Sequence, residues 1–143
     1  VSSKVSSLQA GQMVPDFNLT DQFGNMISLS KLRGKIVLLD FWGVWCGPCR
    51  RKLPHTQKIH EQFKDKGLVV IGIHSAFRTE KTAEFIRENN YTFLTGIDTG
   101  NTAKDYGVTG WPTYYLIDRQ GRLVWGAKHS PPPEKLIESL LKE

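Results

Sequence analysis

Asp40-Phe41-Trp42-Gly43-Val44-Trp45-Cys46-Gly47-Pro48-Cys49 is the stretch on which the reading of this chain turns. Together with the residues before it, it makes an apolar run over Ile36–Trp42, as a strand buried on both faces requires. A helix is expected over residues 46–64. A C-x-x-C at such a strand-to-helix junction suits dithiol chemistry. Cys46 would stand at the helix N-terminus, where unpaired N–H groups and the helix dipole stabilise a thiolate. Gly47 leaves the approach to Cys46 open. Pro48 fits the first turn, where its missing N–H has no helical partner. Cys49 is placed to attack a mixed disulfide formed at Cys46. An exposed first cysteine beside cations makes Cys46 the expected attacking thiol.

These are the only two cysteines in 143 residues. A small secreted scaffold stapled by disulfides needs more of them, spaced further apart. This pair would close a loop too small to restrain the chain much, so chemistry is the better reading than architecture. The length fits one domain. Hydrophobic residues at 39% and charged residues at 23% give a globular balance, and the apolar runs are too short to cross a bilayer. The net charge of +5 is concentrated near the cysteines. Arg50, Arg51, Lys52 and Lys58 lie between Phe41 and His60 with no acid among them. They are most simply a solvated helix face, able to lower the Cys46 pKa or attract acidic partners. They form no long basic stripe, so no nucleic-acid partner is expected.

Working outward, residues 1–10 read as a linker or tether stump and residues 11–143 as the domain. The chain opens on Val1 and the Ser-rich 2–7 segment, without the apolar core of a signal peptide. Residues 17–19 and 26–29 flank a Gly24-Asn25 turn and predict a hairpin. Residues 68–74 predict a second buried strand. A helix follows over 79–89, with Thr79 as its cap, then a short strand over 92–97 and a helical turn over 102–106. Residues 113–118 and 123–125 predict a hairpin across Arg119-Gln120-Gly121. Ser130 and Pro131 to Pro133 introduce a last helix with Leu136, Ile137, Leu140 and Leu141 as its apolar stripe. The sum is an α/β fold with a mixed sheet covered by helices.

Trp45-Cys46-Gly47-Pro48-Cys49 resembles the active-site motif of thioredoxins. The resemblance assigns Asp40 as the buried acid that exchanges a proton with the second cysteine. It assigns Pro54 as a helix-kinking proline, and Gly110-Trp111-Pro112-Thr113 as a loop whose cis-proline packs on the disulfide. Trp45 is read as a flat apolar contact for a partner and Trp42 as packing. Gly47, Pro48, Gly110, Trp111 and Pro112 complete the expected substrate-binding set. Pro15 to Asp21, Gly24, Leu29, Arg33-Gly34-Lys35 and an extra helical segment near 79–89 resemble the TlpA/ResA-like branch of extracytoplasmic thiol–disulfide oxidoreductases. The resemblance covers about residues 11–142. It implies a thioredoxin fold with an N-terminal hairpin and a helical insertion between the C-x-x-C and the cis-proline loop.

It also implies a reductase acting on protein disulfides, recycled by an external thiol donor, with no bound cofactor. The expected setting is extracytoplasmic, in a periplasm or cell envelope, with no membrane span in this chain and a monomeric state. Three departures mark the chain. Asp40 stands where the branch often has a neutral residue. Gly47 replaces an acid that some cytochrome-maturation members carry. Trp111 is bulkier than the usual Val, Ile or Thr.

Other chemistries fit less well. Zinc held by Cys46, Cys49, His55 and His60 fails on spacing, because Cys49 and His60 would stand about 16 Å apart along one helix. Both histidines read as surface or boundary residues, and His74, after a buried strand, as structural. Peroxiredoxins, in the wider family of the N-terminal pattern, carry Thr or Ser where Gly43 stands. A dithiol copper- or haem-handling module would want further Met or His ligands at a convincing spacing. No metal site is therefore expected.

Overall fold

The structure is a computed structural model and describes residues 8–143. Residues 1–7, most of the expected linker, lie outside the described residues. Leu8 packs against the core, and the Gly11 N–H donates to the Leu123 carbonyl at 2.7 Å.

Strands β1 (Asn18–Thr20) and β2 (Met26–Ser28) form the N-terminal antiparallel hairpin, followed by a 3-10 turn over Leu29–Leu32. Then come β3 (Ile36–Trp42), α1 (Gly47–Phe63), β4 (Leu68–His74), α2 (Thr82–Glu88), β5 (Leu94–Ile97) and α3 (Thr102–Tyr106). The chain closes with β6 (Thr113–Ile117), β7 (Leu123–Lys128) and α4 (Glu134–Leu141). The five-stranded sheet runs β5-β4-β3-β6-β7. β3, β4 and β5 are parallel, β6 runs antiparallel to β3, and β7 is antiparallel to β6. This is the mixed sheet of a thioredoxin fold.

β3 is buried at every position because it is paired on both edges and covered on both faces. Its even-numbered residues Leu38 and Trp42 face one core, covered by α1, α2 and α4 through Leu53, Ile59, Ile86 and Ile137. Its odd-numbered residues Val37, Leu39 and Phe41 face a second core holding Leu19, Ile27 and Tyr106. Each fully buried Leu, Ile or Phe contributes about 1.5–3 kcal/mol. After α1 a short 3-10 turn ends at Gly67, whose φ of 109° suits a residue without Cβ and reverses the chain into β4.

Several boundaries differ from expectation, each for a local reason. α2 begins at Thr82 with Lys81, not Thr79, at its N-cap. The chain first turns through Arg78 at φ 54°, and the Thr79 carbonyl is used by the Thr82 N–H. Asn90 at φ 57° lies just past its end. β5 starts at Leu94 rather than 92, because the Thr92 and Phe93 N–H groups both donate to Gln57 Oε1 instead of a neighbouring strand. β7 extends to Lys128 through two register shifts against β6. Pro133 occupies the N-cap of α4, and Ser130 takes a bond from Lys52 instead.

The outer edge of β5 is covered by the first hairpin. Gln22 lays its side-chain amide along it: Nε2 donates to the Phe93 carbonyl at 2.8 Å, and Oε1 accepts from the Thr95 N–H at 2.9 Å.

Candidate active site

β3 delivers the chain to a turn in which the Cys46 N–H donates to the Gly43 carbonyl at 3.1 Å. Cys46 is the N-cap of α1, with extended backbone at φ −100° and ψ 111°. Its Sγ accepts the Cys49 N–H at 3.2 Å, the bond that an N-cap oxygen ordinarily takes. Cys46 and Cys49 are joined as a disulfide. Cys46 is 6% exposed and Cys49 1%, so the expectation of an exposed first cysteine is corrected to a narrow opening over Cys46 alone. The cover comes from Trp111, whose carbonyl oxygen lies 3.6 Å from Cys46 Sγ and can accept from its thiol form. Gly47 is half-buried and Pro48 exposed, leaving the approach over the first turn open.

Gly43 is required by its neighbour. A Cβ there would stand 2.5 Å from the Trp45 indole. The indole is held in place by donating to Ser75 Oγ at 3.0 Å and the Phe77 carbonyl at 3.1 Å. Its ring meets Trp111 edge-on at 5.7 Å and Phe77 at 6.0 Å. These three aromatics form a wall beside the disulfide, and Phe77 is its most exposed member at 60%. A cavity of about 310 Å³ opens between Phe77 and Trp111, floored by Ser75, Ala76 and Ala103. Asp98 shapes its far side by capping α3, accepting the Gly100, Thr102 and Ala103 N–H groups at 2.8–3.0 Å.

Two further segments reach the disulfide because of strand direction. β4 is parallel to β3, so His74 ends up beside Trp42. β6 is antiparallel, so its start, Thr113, lies beside Phe41 and brings Gly110, Trp111 and Pro112 to the same end. The Trp111–Pro112 peptide is cis. Thr113 Oγ1 donates to the Gly110 carbonyl at 2.6 Å, and His129 Nδ1 pairs with the Pro112 carbonyl at 2.9 Å. Lys52 Nζ donates to the His129 carbonyl at 2.8 Å, tying α1 to that segment. Arg50 donates to the Val44 carbonyl at 2.6 Å, so two of the cations expected on a solvated face also bind backbone around the site.

His74 is fully buried between these parts. Nε2 accepts the Val44 N–H at 2.9 Å and Nδ1 donates to the Ser75 carbonyl at 2.8 Å, which requires the neutral ring. Burial is the main cause holding its pKa below the usual histidine value. It thus fixes both the turn before Cys46 and the loop that seats Trp45.

Asp40 is buried beneath α1, between Leu38 and Trp42 on the face that packs Cys49 and Leu53. Thr56 Oγ1 donates to its Oδ2 at 2.9 Å. Burial pushes its carboxyl up to about 7, against the opposing pull of the Thr56 bond and the Lys52 charge. Across the sheet it is paired with Tyr114, whose hydroxyl is pushed up by burial and then by the Asp40 charge.

All nine sequence-predicted site residues converge at this end of the sheet. Sequence reasoning missed Phe77, Thr56, Asp98 and the double clamp made by His74. α1 runs from Gly47 to Phe63 as one helix through Pro54, leaving Cys49 and His60 far apart; His55 is exposed and His60 half-buried.

Comparison with known proteins agrees with this geometry. The AhpC/TSA family matches residues 10–125. The thiol-disulfide oxidoreductase ResA of Bacillus cereus is 33% identical over 98% of this chain and 82% of its own length. The thioredoxin-like protein YneN of Bacillus subtilis is 38% identical over 84% of this chain and 72% of its own. A crystal structure of a thiol:disulfide interchange protein, DsbE, from Chlorobium tepidum superposes with a TM-score of 0.86 at 34% identity. It covers 94% of this chain and 99% of that one. With its disulfide at the cap of α1 and the fold around it, the chain belongs to the AhpC/TSA family, in the ResA-like branch of thiol–disulfide oxidoreductases.

Proposed function

We propose that the chain is a reductase of protein disulfides, with Cys46 as the attacking and Cys49 as the resolving cysteine. The observation that carries this is the helix cap: Cys46 Sγ takes a backbone N–H and stands nearer the surface, while Cys49 is sealed below. The same N–H stabilises a Cys46 thiolate once the disulfide is reduced. That thiolate attacks a substrate disulfide, one substrate sulfur leaves as thiolate, and a mixed disulfide forms at Cys46. Cys49 then gives its proton to Asp40 and attacks Cys46 Sγ. The second substrate sulfur leaves, taking up a proton from Asp40 or solvent. Two electrons pass to the substrate, and an external thiol donor restores the dithiol. The cysteine pair itself supplies the redox chemistry, so no bound cofactor enters the cycle.

Trp45, Gly47, Pro48, Gly110, Trp111 and Pro112 form the surface on which the substrate polypeptide rests, extended by Phe77. The likeness to the extracytoplasmic branch supports a periplasmic or cell-envelope setting, and a monomeric domain over residues 11–143 accompanies that reading. Fractionation of cells expressing the full-length gene product tests the compartment. Peroxidase chemistry is disfavoured at Gly43, where any side chain would strike the Trp45 indole.

Cys46→Ser is expected to abolish insulin-disulfide reduction, and Cys49→Ser or Cys49→Ala to accumulate mixed disulfides. Faster alkylation of Cys49 than Cys46 by iodoacetamide at neutral pH would overturn the assignment. The Gly47-Pro48 pair resembles that of thioredoxin, whose potential is about −270 mV. A glutathione titration is expected to place this protein nearer that value; a result above about −180 mV would overturn the reductase direction.

A further inference from the structure

Thr56 is a β-branched residue inside α1, a position it does not favour on helix propensity alone. It is fully buried and lies seven residues beyond Cys49, two helical turns along the same face. Its hydroxyl has two partners in reach: Asp40 Oδ2 at 2.9 Å and the Lys52 carbonyl, one turn back, at 3.4 Å. Asp40 Oδ1, equally buried, has no hydrogen-bond partner among the described residues. The carboxyl is therefore tied at one oxygen and open at the other.

We propose that Thr56 is the positioning residue for Asp40, holding Oδ2 in both protonation states so that Oδ1 stays available for the proton of Cys49. The inference rests on the proposed role of Asp40 as the acceptor of that proton. With the carboxylate, the Thr56 hydroxyl donates to Oδ2. Once Oδ1 carries the proton, Oδ2 becomes the carbonyl oxygen of the acid and still accepts from the same hydroxyl. Either way one bond persists and the carboxyl does not rotate. A valine of the same shape cannot donate this bond, whereas serine can.

The other groups facing Asp40 do not duplicate this. α1 adds Cys49 and the Lys52 charge, β6 adds the Tyr114 hydroxyl, and β4 places Gly72 alongside, with no titratable side chain. A hydroxyl donating to a carboxylate favours the charged form, so its removal raises the Asp40 titration midpoint.

The test compares wild type with Thr56→Val, Thr56→Ser and Asp40→Asn. In the oxidised protein, where neither cysteine titrates, the Asp40 carboxyl carbon is followed by NMR against pH. In the reduced protein, stopped-flow kinetics separate attack by Cys46 from resolution by Cys49. Thr56→Val is expected to raise the midpoint by about one pH unit. At pH 6 it should slow resolution by about three- to tenfold and leave the attack unchanged. Thr56→Ser returns both towards wild type. Wild-type midpoint and resolution profile in Thr56→Val, with resolution slowed in Asp40→Asn, would overturn the role of Thr56 alone. Unaltered resolution in Asp40→Asn would overturn the role of Asp40, and this inference with it. Should Thr56→Val fail to fold, Thr56→Ala serves the same comparison.

Discussion

Asp40 sits in a tension between chemistry and stability. Its carboxyl is pushed up to about 7 in the fold, from an ordinary 3.8 in the open chain. Between those values the folded form holds a proton that the unfolded form has released, so stability falls as pH rises from about 4 to 7. Below the lower value both forms are protonated and the difference vanishes. Asp40→Asn removes the dependence. The variant should match wild type near pH 4 and exceed it at pH 7.5 by on the order of 3–4 kcal/mol, as read by denaturant melts at both pH values. A constant difference across that range would show that the carboxyl is not destabilised by burial. His74 follows the opposite sign. Its depressed pKa means that the fold gains stability as pH rises through the ordinary histidine range, since the neutral ring is the form that holds Val44 and Ser75.

At the scale of elements, the site depends on the turn between β3 and α1, and that turn depends on Gly43. Gly43→Ala places a methyl group 2.5 Å from a ring that is itself pinned by two hydrogen bonds. Either the turn or the indole must move, at a cost of about 1–3 kcal/mol. The expected outcome is a lower denaturation midpoint together with altered tryptophan fluorescence. Unchanged fluorescence would show that the turn, not the indole, gives way. The ends of β3 and β4 match the sequence reading because a continuous apolar run needs only local information. The C-x-x-C with Pro48 likewise marks the start of α1 from within its own few residues. The start of β5 was not legible, because Gln57, 35 residues away, takes the Thr92 N–H. The link from Thr56 to Asp40 and the seat of Trp45 on the 75–77 loop were hidden in the same way. Each joins side chain to side chain, or side chain to backbone, across elements, and such contacts leave no periodicity.

For the whole molecule, strand direction decides what meets at the disulfide. Parallel β4 contributes its final residue and antiparallel β6 its first, so His74 and the Gly110–Pro112 loop share one end with Cys46. Such carboxyl ends of central strands are where open α/β sheets place their sites. The family motifs around Cys46 and Pro112 made that convergence readable, whereas Phe77 escaped because it belongs to a loop with no motif of its own. The far side of the sheet raises a different matter, one of keeping strangers out. The side-chain amide of Gln22 offers β5 one donor and one acceptor where a sixth strand would otherwise attach. A sheet edge with those groups bare is a template for chain-to-chain pairing, and proteins commonly blunt it. Gln22→Ala uncovers the Phe93 carbonyl and the Thr95 N–H without touching the redox centre. Light scattering at rising protein concentration should show self-association in the variant and none in wild type, with disulfide reduction per chain unchanged at low concentration. If so, one glutamine far from the cysteines, with the hairpin that carries it, keeps this edge from recruiting strands of other copies.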